Sequence, residues 1–186
     1  MSDERVERRL AAGPDRRMIE TVALRSATTD DVPALRELHV RSFAELARDH
    51  HGEIEIEAHV ALIRSPEYAD ELTRTNLSMA IDTTGRIIAS AGWQPMADRA
   101  ATARIRKVFV DPRMARRGLG KLMVTDAETR ARQSAFEEFY VRANINAVLL
   151  YRALGYREID EGVMMVGGGV WLPVVYMEKT RATVEG

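Results

Sequence analysis

From residue 102 to residue 141 the chain passes through a strand pattern, a basic turn with two glycines, a helix pattern and a second strand pattern. Two strands joined through a helix form a crossover, and a crossover leaves them parallel. No other feature of the sequence constrains the fold as much: it requires an α/β sheet with at least one parallel pair. The helix is read from Leu119, Leu122, Met123, Ala127 and Ala131, which share one face at helical spacing. The strands are read from residues 102–110 and from Phe139-Tyr140-Val141 onward.

The flanks add antiparallel material. Residues 21–25 read as an edge strand, and Thr29-Asp30-Asp31 with Pro33 opens a helix over residues 31–47. On it, Leu35, Leu38 and Ser42 or Phe43 are expected to face the core. Ile56, Val60 and Ile63 mark a second helix that Ser65-Pro66 ends, and a short third helix follows over residues 67–73. Residues 77–81 and 86–93 form a hairpin about Asp82-Thr83-Thr84-Gly85. Residues 147–154 read as a short helix stopped by Gly155. A strand near residues 157–159, a triple glycine and a last strand over 174–179 complete the chain, with Pro173 expected to precede that strand or to sit at a bulge. One domain over residues 21–186 and a mobile arm over residues 1–20 are the expected organisation.

Composition narrows the function. The 27 basic and 28 acidic residues nearly cancel, so no broad basic surface is available to bind nucleic acid. The chain has no cysteine, which removes disulfides, thiolate nucleophiles and thiolate metal ligands. No apolar run nears the ~18 residues of a membrane span, and the first residues lack the apolar centre of a signal peptide. A soluble, cytoplasmic protein with no nucleic-acid or membrane partner is expected.

The turn reads Arg116-Arg117-Gly118-Leu119-Gly120-Lys121 and opens a helix. Helix-start N–H groups lack helical acceptors, and the helix dipole favours anions there. The same string in a different context would be a glycine turn with a solvated basic rim. It satisfies neither GxxxxGK[ST] nor GxGxxG, since Leu122 and Met123 stand at the deciding positions.

Val108-Phe109-Val110-Asp111-Pro112, the glycine turn, and Asn144-Ile145-Asn146-Ala147 leading to Leu150-Tyr151 and Gly155-Tyr156 come in an order and spacing that resemble the GCN5-related N-acetyltransferases. The resemblance covers roughly residues 21–179. It implies a mixed, mostly antiparallel central sheet with one parallel strand-helix-strand crossover and helices on both faces. It also implies acetyl-CoA as co-substrate and a primary amine, of a small molecule or a peptide, as acceptor. By motif position, Val108, Phe109 and Val110 would offer backbone groups to the pantetheine arm. Arg116, Arg117, Gly118, Leu119, Gly120 and Lys121 would hold the diphosphate, and Asn144 would touch the cofactor arm. The family pattern has Gln or Arg where this chain has Ala115.

Tyr151 is the candidate acid. A phenol, with a pKa near about 10, keeps its proton at neutral pH and can give it to a departing thiolate. On a continuous helix the seven residues from Asn144 to Tyr151 would come close to two turns of about 3.6 residues each. Packing on an amphipathic helix beside Leu150 and Leu154 is the other reading of Tyr151. Many family members carry a glutamate on the strand before the turn, but Ala103-Arg104-Ile105-Arg106-Lys107 has none. A water relay, or Glu53, Glu55, Glu57, His50, His51 or His59, would then serve as base. His51, Glu55 and His59 also stand at i, i+4 steps, although no HExxH order is present and no metal is expected. The glutamates point to a cationic small molecule. Trp171 either packs in the core or lines the acceptor pocket. An idle acyl-CoA sensor and a thioester hydrolase are the alternatives to a transferase, and a homodimer is compatible with the sequence.

Overall fold

The computed structural model describes residues 22–180; the predicted arm over residues 1–20 lies outside them. Among these residues seven strands form one sheet: β1 (Ala23–Ser26), β2 (Asn76–Ile81), β3 (Ile87–Pro95), β4 (Thr102–Val110), β5 (Glu138–Asn144), β6 (Arg157–Gly167) and β7 (Val170–Lys179). The order across the sheet is β1-β2-β3-β4-β5-β7-β6, and only β4 and β5 are parallel. Among the described residues five α-helices accompany them: α1 (Val32–Leu46), α2 (Glu53–Arg64), α3 (Pro66–Thr73), α4 (Leu119–Gln133) and α5 (Val148–Ala153). The expected fold class holds: a mixed, mostly antiparallel sheet, one parallel crossover through α4, and helices on both faces.

Strand alternation divides the core between the two faces. Ala103 and Ile105 on β4 and Phe139, Val141 and Ala143 on β5 are buried with Leu119, Met123, Val124, Ala127 and Ala131 of α4. Four of these helix positions belong to the stripe that the sequence marks; Leu122 of that stripe is only partly buried, and Val124, which lies outside it, is fully buried in its stead. On the opposite face Leu35, Leu38 and Phe43 of α1, Ile63 of α2 and Leu72 of α3 close over Leu77 and Met79. Pro33 falls at the start of α1 as expected. The cap lies one residue earlier than predicted: the Thr28 N–H and hydroxyl both donate to Asp31 Oδ2, at 2.8 and 2.9 Å, around a short 3-10 turn. With Arg25 also on it, the Asp31 carboxyl is pulled down to about 2, chiefly by the Arg25 hydrogen bond.

The C-terminal hairpin departs from expectation. β6 runs eleven residues rather than three, and β7 starts at Val170 and passes through Pro173 without a bulge there. Pairing with β5 begins only at Val174, so Pro173 has no β5 residue beside it and its missing N–H breaks no ladder on that side. Gly167, Gly168 and Gly169, all at positive φ, make the turn. Trp171 is 52% exposed on this hairpin, opposite Met165, so it is not a core residue.

Candidate active site

The parallel pair is short. β4 and β5 are in register only from Thr102↔Glu138 to Ile105↔Val141. β4 continues to Val110 and β5 to Asn144 with no ladder between them, which opens a cleft in the middle of the sheet. Backbone groups of residues 106–110 that point toward β5 therefore have no strand partner, and in a closed sheet such groups would be costly.

One of these groups is aimed by a bulge. Ser90 pairs with Phe109 and Gly92 with Arg106, so Lys107 and Val108 together oppose the single residue Ala91. Lys107 takes φ 58, a left-handed conformation that costs an ordinary L-residue about 1 kcal/mol or more. A buried relay holds it there. Ser90 Oγ donates to the Lys107 carbonyl at 2.9 Å, so it must accept from His39 Nε2 at 2.8 Å, and His39 Nδ1 then accepts from the Tyr68 hydroxyl at 2.9 Å. The His39 ring is fully buried and stacked on Phe109 at 4.0 Å; burial, with the nearby Lys107 charge, keeps it neutral. Because C=O and N–H of a trans peptide point oppositely, tying the Lys107 carbonyl to Ser90 turns the Val108 N–H away from β3. The Val110 N–H, in contrast, is occupied by Ser42 Oγ at 3.3 Å.

The glycine turn meets the cleft at the same end. Gly118 has φ 82 and caps α4, and Arg116 is also left-handed at φ 60. The first helical bond runs from the Leu122 N–H to the Gly118 carbonyl at 2.9 Å, so the N–H groups of Leu119, Gly120 and Lys121 precede any helical acceptor. Arg116, Arg117 and Lys121 are exposed around them. Gly120 has a packing role as well: a Cβ there would stand 3.1 Å from Leu150 Cδ2 and 3.9 Å from Val110 Cγ2. Its absence lets the start of α4 close against the end of β4 and α5. Strand end, turn and helix start thus form one continuous cradle of N–H donors and positive charge, which fits a diphosphate on a long arm.

Tyr151 lies on α5, 3% exposed, edge-on to Tyr156 with ring centroids 5.3 Å apart. Burial pushes its hydroxyl upward, so it stays protonated throughout the neutral range. The Tyr156 hydroxyl is engaged by Glu128 at 3.0 Å, whereas no such bond from the Tyr151 hydroxyl is found among the described residues. The helical argument linking Asn144 to Tyr151 does not hold. Asn144 is the last residue of β5, and a 3-10 turn over Ile145–Ala147 intervenes before α5. Asn144 is half-buried at the cleft end of β5, placed by the strand rather than by helical periodicity.

The profile of the acetyltransferase (GNAT) family matches residues 32–156, more than half of the chain and all of the elements just described. The chain belongs to the GNAT acetyltransferase family. Membership makes it an acyltransferase, and acetyl-CoA is the co-substrate such enzymes draw on. Solved structures agree on the fold. A GCN5-related N-acetyltransferase from Rhodopseudomonas palustris superposes with a TM-score of 0.77 at 22% identity, covering 87% of this chain and 96% of that one. The PaiA N-acetyltransferase of Thermoplasma acidophilum, solved with coenzyme A, gives 0.70 at 16% identity, covering 87% and 99%. A phosphinothricin acetyltransferase from Sinorhizobium meliloti, solved with acetyl-CoA, gives 0.58 at 20% identity, covering 86% and 88%. Among curated proteins none matches this chain.

In this GNAT enzyme the candidate bases scatter. Glu53 and Glu57 are exposed on α2, and His50 is exposed before it. Glu55 accepts from the Gly52 N–H at 2.8 Å and so caps its own helix. His51 and His59 are buried and stacked on Phe43, at 5.7 and 4.1 Å. Among the described residues no cluster of three or more His, Asp or Glu side chains is arranged to hold a metal, and no helix is long and apolar enough to cross a membrane. His59 stands apart: burial first, then the charges of Lys107, His51 and Arg142, push it down to about 4, and its Nδ1 has no partner among the described residues. Lys107 and Arg142 belong to β4 and β5, so among the candidate bases His59 is the one whose charge state senses the two strands that border the cleft.

That depression has a consequence for stability. An unfolded histidine protonates near about 6.5. Between there and about 4 the unfolded chain binds a proton that the folded protein refuses at His59. The contribution is full above pH 6.5 and lost as pH falls toward 4, with His39 acting in the same sense. Urea unfolding at pH 7 and pH 4.5 is expected to show His59→Gln with a flatter pH dependence than wild type, by up to ~1.4 kcal/mol per pH unit. Equal slopes would place His59 in water.

Proposed function

We propose that this acyltransferase moves the acetyl group of acetyl-CoA to a primary amine by direct attack. The observation that carries the reading is the cleft between β4 and β5, bordered by the bulge at Lys107 and by the α4 start, which packs against Val110 of β4 and Leu150 of α5, the helix that also carries Tyr151. The bound co-substrate supplies an acetyl thioester, whose carbonyl carbon accepts the amine lone pair and whose sulfur departs as thiolate. Gly118, Leu119, Gly120 and Lys121 would bind the diphosphate through backbone N–H groups, with Arg116 and Arg117 adding charge. The backbone of Val108, Phe109 and Val110 would align the pantetheine arm, and Asn144 would meet it from β5. The Val108 N–H, turned away from β3, would meet the negative charge that develops on the carbonyl oxygen, which is the form of help an oxyanion needs.

Tyr151 would give its proton to the departing sulfur and regain one from solvent. Neutral His59, or a water that it orders, would take the proton from the amine. The chain has no cysteine to carry an acetyl-enzyme, which favours transfer in one step. Incubation with acetyl-CoA and a panel of amines, with free thiol as the readout, tests this. Thiol release that requires amine is expected. Release without amine would mean a hydrolase, and tight cofactor binding without release would mean a sensor.

A further inference from the structure

We infer that the acceptor is an amine that also carries a carboxylate, and that Arg104, Arg106 and Arg142 receive that carboxylate. This rests on the acetyl-transfer reading and assigns the acceptor side of the same cleft. On β4, Ala103 and Ile105 face the α4 core, so Arg104 and Arg106 face the opposite way. On β5, Phe139, Val141 and Ala143 face α4, so Tyr140 and Arg142 share the side of the arginines. Arg104 is in register with Tyr140. Arg106 and Arg142 are the next residues of the two strands after the last register pair, Ile105↔Val141, where the cleft opens, and Arg106 adjoins the Lys107–Val108 peptide.

This face holds too little negative charge for its cations. Glu71 of α3 accepts from Arg106 Nη2 and from Lys107 Nζ, both at 2.7 Å, and Gln94 Oε1 accepts from Arg106 Nη1 at 2.6 Å. Glu178, in register with Tyr140, is already engaged by Arg157 and Arg99, at 2.7 and 3.6 Å. Among the described residues no carboxylate lies within ion-pair reach of Arg104 or Arg142. The Nε atoms of Arg104 and Arg106 are buried with no hydrogen-bond partner. Burial, then the charges of Arg142 and Arg106, push Arg104 down to about 10, and burial pushes Lys107 down to about 8. Partly desolvated guanidinium groups on one face, with unused donors, are costly in an empty protein and suited to a ligand carboxylate, which a planar fork can grip in a bidentate way. Tyr140 and Tyr176, stacked at 6.2 Å on this face, add apolar surface beside it. The glutamates from which a cationic acceptor was expected lie elsewhere, exposed on α2 or capping it.

The test compares amino acids, their carboxamides and the corresponding amines that lack the carboxylate, with acetyl-CoA held saturating and thiol release as the readout. The carboxylate-bearing members should show kcat/KM roughly 100-fold higher, the scale of a charge-assisted pair left unmade. Arg142→Gln should erase that preference through KM for the acid. Equal or better turnover of the amides or plain amines overturns the inference and leaves acetyl transfer standing. If no amine is turned over, acetyl transfer itself fails and binding decides the inference. The same amino acids with coenzyme A should then raise the melting temperature of wild type but not of Arg142→Gln, and no shift in wild type overturns it. Should Arg142→Gln not fold, Arg142→Lys, which keeps the charge and loses the fork, should reduce the preference in the same direction.

Discussion

Gly118→Asp is expected to weaken coenzyme A binding by about 1,000-fold while the protein remains folded. Gly118 sits at φ 82 as the cap of α4, where its carbonyl accepts the first helical bond. Aspartate tolerates left-handed backbone better than most residues and is among the preferred helix caps, so the substitution spares the helix. It introduces a negative charge where the proposed ligand carries two phosphates. At ~4 Å and an effective dielectric constant of ~20, one such repulsion amounts to about 4 kcal/mol, or roughly three orders of magnitude in Kd. Calorimetry with coenzyme A, alongside a thermal melt, checks it. Unchanged affinity with an unchanged melt would remove the turn from the binding site. Gly118→Ala separates the two terms, since it carries the backbone strain without the charge.

Tyr151→Phe should lower kcat by about 100-fold or more and leave coenzyme A binding within error of wild type. Positioned acid catalysis contributes ~10²- to 10⁴-fold, and the hydroxyl is the only polar atom removed. The ring keeps its edge-on contact with Tyr156, so packing is little disturbed. Burial holds the hydroxyl protonated well past neutrality, so the loss should be seen across the whole neutral and mildly alkaline range. Steady-state thiol release from pH 6 to 9, with calorimetric Kd in parallel, checks it. Equal kcat in the two proteins at every pH would return Tyr151 to a packing role.

The two variants rest on features that differ in how readable they were. The α4 stripe could be read because its buried positions lie within thirteen residues of one another and repeat at the helical period. Gly118 could be read because a glycine between arginines and a helix pattern has few conformational uses. The hairpin beyond Gly155 was misread, because on a strand that forms the sheet edge Ile159, Val163 and Met165 are exposed and hydrophobicity does not report burial there. Asn144 was given a helical partner since spacing alone does not reveal where a strand ends. The alternation of Arg104 and Arg106, with Arg142 on the neighbouring strand, was in plain view; that the two strands are parallel neighbours and turn these residues to one face needed the sheet register.

What the sequence determined by itself is local: a crossover that must make one parallel pair, a helix start rich in N–H donors, a tyrosine after it, and the absence of any thiol. The tertiary structure decided how far β4 and β5 stay together, and therefore that a cleft exists. It also decided that a lysine, a residue with no leaning toward positive φ, is held there by Ser90 and His39. His39 lies 51 positions from Ser90 and 29 from Tyr68 in the chain. Such contacts arise only when the helices on one face close over the sheet, and no local pattern encodes them, because each residue in the relay is ordinary until its partner is folded against it.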